Sequence, residues 1–333
     1  MRVFISGIAG FLGSHLADTM IAEGHHVVGV DSLLGGYLDN VPPRAEFFAE
    51  DCNDLECMKE HMRGVDVVFH CAAAPHEGLS VFSPRLVTQS VVSATASMLS
   101  AACDAGVRRF VFLSSMARYG TGTVPFLESA PTCPQDPYGI GKVAAEELVK
   151  NLCDVHGVEW SNAVPHNIYG PRQKYDDPFR NVAAIFANLL LQDRQPFVYG
   201  DGSQRRSFSF IDDVVGPLAL MASSHRVVRE VVNLGPDDGS VTILELAGKL
   251  ASLVGVELLP TYLPPRPQEV KDAFCSAAKA RRLLGYEPKT RLEDGMRMLV
   301  EWIRMRGPKP FEYHLPVEIR SKKAPETWTR KLM

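Results

Sequence analysis

The chain has 333 residues, 46% hydrophobic and 22% charged, with a net charge of −4 and an isoelectric point near 6.2. This suits a soluble globular protein with one large domain and a smaller second lobe, and it excludes a surface built to coat nucleic acid, which needs dense cationic patches. No run reaches the roughly 18 consecutive apolar residues of a membrane span, and the apolar stretch before Gly7 is too short for a signal peptide, so a cytoplasmic protein is expected. The seven cysteines are scattered without a CxxC pair and the ten histidines show no zinc spacing. Reduced thiols and no metal are the expectation.

In chain order, Arg2–Ser6 is a strand-like apolar run leading into Gly7-Ile8-Ala9-Gly10-Phe11-Leu12-Gly13 and a helical stretch, Ser14–Glu23. Glycines at 7, 10 and 13 permit a tight turn, close approach of a pyrophosphate to backbone N–H groups, and close helix–strand packing. The helix start adds unpaired donors and partial positive charge. A glycine triplet alone is a weak signal. The next strand-like run, His26–Val30, strengthens it by ending in Asp31-Ser32, with Asp31 18 residues beyond Gly13. A carboxylate there accepts hydrogen bonds from ribose hydroxyls and repels a 2′-phosphate, so NAD is favoured over NADP. Asp51, followed by Cys52, is placed to read an adenine amino group. The run Val65–His70 ends in Cys71-Ala72-Ala73-Ala74, small residues that either admit the cofactor or pack the core.

Leu86–Ala105 has helix length, and the strand-like Phe110–Leu113 ends in Ser114-Ser115. The alternation predicts an α/β fold, a Rossmann-type doubly wound parallel sheet covered by helices on both faces. Ligands of such sheets bind at the carboxyl ends of the strands. Ser115 is the better placed of the two serines to bridge substrate and base, whereas Ser114 reads more simply as a turn cap. Tyr138-Gly-Ile-Gly-Lys142 follows Asp136-Pro137, an N-cap and first-turn pair, so Tyr138 and Lys142 fall one turn apart on one helix face. A phenol with a pKa of about 10 is a poor base; a neighbouring ammonium and a positively charged nicotinamide favour the phenolate.

Beyond Pro165 the rhythm changes to longer loops, Pro-rich turns and isolated helices such as Val182–Leu191. Phe208–Ser223 and Val231–Leu234 read as strand and helix returning to the first sheet. The expected division is a nucleotide-binding domain of residues 1–165 plus about 208–235, a smaller discontinuous α+β lobe of 166–207 and 236–307, and a polar tail, 308–333, of no evident role.

These landmarks together resemble the extended short-chain dehydrogenase/reductases of the nucleotide-sugar epimerase/dehydratase branch. Ser114-Ser115 with Tyr119-Gly120, the run His166-Asn167-Ile168-Tyr169-Gly170-Pro171-Arg172, Gly200–Arg206 with Asp212-Asp213, and Lys279–Gly285 complete the likeness over about residues 1–305. The resemblance implies NAD as cofactor, held also by Pro165 and His166. It implies Ser115, Tyr138 and Lys142 as catalytic residues, and Asn167, Tyr199, Arg206 and Arg266 around a nucleotide sugar, the arginines clamping its diphosphate. Dehydratases of the family carry Asp-Glu after the catalytic Ser/Thr, where this chain has Met116-Ala117, so a 4-epimerase of UDP-sugars is expected before a dehydratase. Ala273 aligns with a size-selecting position whose small side chain would admit an acetamido sugar. His166 and Arg118 would favour a uronate if they faced the sugar, and the loop His76–Ser80 either faces the sugar or is a plain polar loop. A catalytically silent NAD-binding sensor is the rival from another class. The family's usual homodimer would pair Leu86–Ala105 and Tyr138–Val155, where Val87, Val91, Ala94, Met98 and Ala101 form a stripe that suits either a partner or the core.

Overall fold

The computed structural model describes residues 1–333. In its first half, strands β1 (Arg2–Ser6), β2 (His26–Val30), β3 (Glu46–Phe48), β4 (Val67–His70), β5 (Arg109–Leu113) and β6 (Glu159–Pro165) alternate with helices. These are α1 (Phe11–Ala22), α2 (Leu55–His61), α3 (Glu77–Ser80), α4 (Pro84–Thr88), α5 (Ala94–Asp104) and α6 (Pro137–His156). The second half adds strands β7 (Ile168–Tyr169), β8 (Phe197–Tyr199), β9 (Arg205–Arg206), β10 (Ser209–Phe210) and β11 (Glu230–Leu234), with helices α7 (Val182–Leu190) and α8 (Ile211–Leu220). Then come β12 (Val241–Thr242), α9 (Ile243–Val254), β13 (Thr261–Leu263), β14 (Asp272–Ala273), α10 (Ala278–Leu284), α11 (Leu292–Arg306) and α12 (Glu326–Thr329).

A seven-stranded parallel sheet runs β11-β6-β5-β4-β1-β2-β3. Its strands are apolar on both faces because both are covered. On β1, Val3 and Ile5 point to a core shared with Leu16 and Leu218, while Phe4 points to the opposite core with Met98, Phe110 and Val149. Of the two later segments expected to return here, only β11 joins the sheet; Ser209–Phe210 pairs with β7 in a separate ribbon. A third core, built by α7, α9 and α11, lies under the remaining short strands.

The expected helix Leu86–Ala105 is realised as α4, a π-helical turn at Gln89–Ser93, and α5. Pro84–Asp104 spans 21 residues and contains an 18-residue stretch with mean hydropathy 1.3, long and apolar enough by those measures to cross a membrane. Its stripe is otherwise employed: Val87, Val91, Ala94, Met98 and Ala101 are buried within the chain, against the sheet and α6. The stripe is therefore core and not a pairing face.

Candidate nucleotide-sugar site

Loops leaving the carboxyl ends of β1, β2, β4, β5 and β6 surround a cavity of about 570 Å³, which the second half of the chain walls on its other side. Gly7 turns the chain at φ +74°, and a Cβ there would lie 2.9 Å from the Ala72 backbone nitrogen. The loop after β4 thus approaches as closely as glycine allows. Helix α1 begins at Phe11, three residues earlier than expected, with Gly10 as N-cap and no side chain satisfying its first turn. Its leading N–H groups are the free donors that a pyrophosphate requires. Asp31 accepts hydrogen bonds from the Ala9 and Leu33 backbone nitrogens at 3.0 and 2.7 Å. Burial raises its pKa and these bonds oppose the rise. It therefore ties the glycine loop down while presenting a carboxylate to the cavity. A dinucleotide fits these residues.

Phe11, Leu12, Gly13, Ser32, Asp51, Cys52, Cys71, Ala72, Ala73 and Pro165 also line this cavity. Asp51 is partly engaged by the backbone and side chain of Asn53, each 2.8 Å away. His166 is not on the wall. It is fully buried behind Gly235 and beside the Tyr119 ring, and burial pulls its pKa down to about 4. Successive residues of an extended strand point to opposite faces, so Pro165 can face the cavity only if His166 turns away.

Helix α6 starts as its sequence predicts: the Asp136 carboxylate accepts from the Gly139 backbone nitrogen at 2.9 Å, and Pro137 opens the first turn. Tyr138 and Lys142 consequently share a face and both reach the cavity. Lys142 Nζ donates to the Leu113 carbonyl at 2.6 Å and lies 5.8 Å from the centre of the Tyr138 ring. Burial lowers the lysine to about 8. The tyrosine is raised, first by burial and then by the facing Glu77, with Ser115 and Arg180 acting in the other direction. In the protein alone the expected lowering of the phenol is thus not achieved.

Ser115 keeps the place expected of it beside Tyr138 and also takes the turn cap expected of Ser114. Ser115 caps the turn Met116–Arg118, accepting from the Ala117 backbone nitrogen at 3.2 Å, while its hydroxyl faces Tyr138. Ser114 lines the cavity but donates its hydroxyl hydrogen to Glu146, which also pairs with the buried Arg118 at 2.9 Å. Arg118 is therefore a core ion pair that offers no charge to a sugar.

On the far wall, Asn167 donates to the Ser207 carbonyl at 2.9 Å. Arg206 donates to the carbonyls of Arg205, Lys271 and Val270 at 2.8, 3.0 and 2.6 Å, so its fork is held in place by backbone. Arg266 pairs with Glu269 at 2.6 Å and lies 4.8 Å above the Tyr199 ring. Asn167, Tyr199, Arg206 and Arg266 all line the cavity; Ala273 does not. Ala273 is 2% exposed in a small core with Met116, Tyr119 and Phe126, because its strand alternation turns it inward. It cannot set the sugar size by direct contact.

Glu77, Arg180, Asn181 and Trp328 also line the cavity; of these, only Glu77 falls in a segment, His76–Ser80, whose sequence left open that it faces the sugar. Glu77 starts the short helix α3 on the cavity wall; its side chain is open to the cavity, yet the surrounding protein and Asp136 raise its carboxyl to about 7 against the pull of Arg206 and Arg266. Arg180 bridges to the Gly35 carbonyl at 2.8 Å and to Asp177, which His76 also meets at 3.1 Å. Asn181 caps α7, accepting from the Ala183 backbone nitrogen at 2.9 Å; an Asn before the apolar run Val182–Leu191 was a readable signal for this. Trp328 reaches the wall from the tail. For Arg180 and Trp328 no local pattern distinguishes them from surface residues.

Comparison with known proteins agrees with this geometry. The family model described as "NAD dependent epimerase/dehydratase family" matches residues 3–235. A UDP-glucose 4-epimerase of Mycolicibacterium smegmatis is 34% identical over 91% of this chain and 99% of its own length. The crystal structure of a Thermotoga maritima UDP-glucose 4-epimerase with UDP-glucose superposes with a TM-score of 0.86 at 31% identity, covering 92% of this chain and 99% of that one. A Bacillus cereus UDP-glucuronic acid 4-epimerase, in complex with UDP-glucuronic acid and NAD, gives a TM-score of 0.86 at 26% identity, covering 92% and 100%. A seven-stranded parallel sheet, its glycine loop and the matched sequence together place the chain in the NAD-dependent epimerase/dehydratase family.

Proposed function

We propose that this chain is an NAD-dependent 4-epimerase of nucleoside-diphosphate sugars, with UDP-glucose and UDP-galactose as its first candidates. The observation that carries this reading is one cavity holding Ser115, Tyr138 and Lys142 at its base, the glycine loop and Asp31 on one side, and Arg206 and Arg266 on the other. Gly7–Gly13, Asp31 and Lys142 hold the cofactor; Arg206, Arg266 and Asn167 hold the diphosphate and sugar. Tyr138 accepts the proton of the sugar 4-hydroxyl, and Ser115 bridges the same oxygen. A bound NAD would supply a hydride acceptor and donor for carbon 4 and a positive charge favouring the Tyr138 phenolate, which would then accept the 4-hydroxyl proton. The 4-keto sugar turns over between the two transfers, and nothing is consumed.

Dehydration ranks second, because Met116 and Ala117 stand where an acid pair would be needed. A uronate is disfavoured because His166 and Arg118 are both turned into the core. With Ala273 behind the wall, acceptance of acetamido sugars loses its support. A homodimer remains the family expectation, on the outward face of α6, where Ile140 and Val155 are exposed. Incubating the purified protein with UDP-, dTDP- and GDP-sugars and determining product stereochemistry tests the assignment; inversion at carbon 4 is expected, and intact substrate across the panel would refute it.

Glu77 is expected to make the affinity for substrate depend on pH. The groups that face it are Asp136 and Tyr138 from α6, Arg206 from β9, and Arg266 and Glu269 from the loop before β14. Below about pH 7 its carboxyl is neutral; above it, a second anion stands beside the diphosphate. Affinity therefore falls as pH rises. For UDP-glucose bound to the Tyr138→Phe variant, a loss of roughly tenfold between pH 6 and 8.5 is expected, corresponding to a coupling of about one pKa unit. Adding Glu77→Gln should flatten the profile; an unchanged slope would remove Glu77 from the substrate site.

A further inference from the structure

The C-terminal segment 308–333 is stitched across both halves of the molecule. The Lys309 carbonyl accepts from the side chains of Asn188 and Gln192, each at 2.9 Å, and the Glu312 backbone nitrogen donates to the Asp176 carbonyl at 2.8 Å. Across the molecule, Ser83 Oγ donates to the Pro316 carbonyl at 2.5 Å, and the Glu318 carboxylate accepts the Arg85 and Leu86 backbone nitrogens, each at 3.0 Å. The chain then turns back. Arg194 holds the Leu332 carbonyl at 2.8 Å, and the Met333 backbone nitrogen donates to the Tyr313 hydroxyl at 3.0 Å.

This path carries Trp328 and Met333 to the cavity wall, with Thr327 buried behind them. Trp328 packs edge-on against Phe82 and Phe179, with ring centres 6.2 and 5.3 Å away. The far edge of its indole packs on Gly78, where an added Cβ would lie 3.2 Å from Trp328 and 3.4 Å from the Arg266 guanidinium. Thr327 is fully buried and shares a hydrogen bond with the Tyr199 hydroxyl, while Arg266 lies over the Tyr199 ring. Trp328 and Met333 themselves line the cavity beside Tyr199 and Arg266.

We infer that the C-terminal segment is part of the substrate site: Thr327 fixes Tyr199, the ring on which Arg266 rests, and Trp328 walls the cavity where the nucleoside diphosphate binds. This rests on the nucleotide-sugar reading above. A buried hydroxyl that anchors a cavity-lining tyrosine, and an indole held on the wall by Phe82, Phe179 and Gly78, are both in place before the ligand arrives, and such preorganisation is read as affinity. The segment is thus a positioning element for the half of the site remote from Tyr138.

UDP is the probe, with binding measured by calorimetry on the NAD-loaded protein. Thr327→Val is nearly isosteric and removes only the bond to Tyr199; it should weaken UDP about fivefold, the order expected for one hydrogen bond, and Thr327→Ser should restore it. Trp328→Ala should weaken UDP by at least about tenfold. In turnover both substitutions should raise KM for the nucleotide sugar and leave kcat and NAD affinity in place. Undiminished UDP binding in Thr327→Val overturns the inference, whether or not Trp328→Ala folds. If the unaltered protein fails to bind UDP at all, the nucleotide-sugar reading itself falls, an outcome visible before any variant is made.

Discussion

Tyr138→Phe is expected to reduce the rate of epimerisation by about 10²–10⁴-fold, the range for removing a positioned acid–base group. The substitution deletes one oxygen. The ring stays in the core cluster it shares with Ala117 and Ala145, so the fold should persist with an unchanged Tm. NAD should still bind, since the glycine loop and Asp31 lie on other elements. The phenol is raised in the protein alone, and Glu77 contributes to that. Its use as a base therefore depends on opposing charge from Lys142 and the bound nicotinamide, and the rate should rise with pH as the phenol ionises. The variant should lose that pH dependence together with the rate. Activity equal to that of the unaltered protein would mean that another group takes the 4-hydroxyl proton.

Gly13→Ala is expected to disable the protein from the opposite side of the cavity. An added Cβ would lie 2.1 Å from the Gly7 carbonyl oxygen and 2.8 Å from its carbonyl carbon. Both are backbone atoms of the turn that receives the pyrophosphate, so no side-chain rotation relieves the clash. Loop and helix must separate, at a cost of about 3 kcal/mol by analogy with severe overpacking. The displaced turn should weaken NAD by at least about 100-fold, which corresponds to roughly 2.7 kcal/mol. Gly216→Ala is the control: a Cβ there meets nothing within 4 Å, and the residue lies inside helix α8. Alanine in a helix should be neutral or stabilise by up to about 1 kcal/mol. Thermal melts and NAD titrations separate the two. Equal NAD affinity in Gly13→Ala would show that the loop does not hold the cofactor.

The cofactor half of this site was legible because its chemistry is local. Gly7, Gly10, Gly13 and Asp31 lie on one βαβ unit, and Asp136, Pro137, Tyr138 and Lys142 on one helix start, so spacing alone reports their geometry. The substrate half is assembled from distant segments. Glu77, Arg180 and Arg266 come from separate segments and Trp328 from the tail that crosses back over the cavity, and no local periodicity encodes that convergence. The errors have the same origin. His166 and Ala273 sit on extended backbone, where a shift of one residue reverses the face, and alignment cannot tell wall from core. The stripe on α4 and α5 illustrates a related ambiguity, since an apolar face is written identically for a partner and for the sheet beneath it.

The central claim is that Tyr138 serves a reaction in which the hydrogen of carbon 4 leaves and returns without entering solvent. The most direct test uses UDP-glucose deuterated at carbon 4, incubated with the NAD-loaded protein in ordinary water, with the products examined by NMR. The account predicts UDP-galactose that keeps its deuterium at carbon 4, with no reduced cofactor accumulating. Label lost to water, or a product dehydrated at carbon 6, would contradict it.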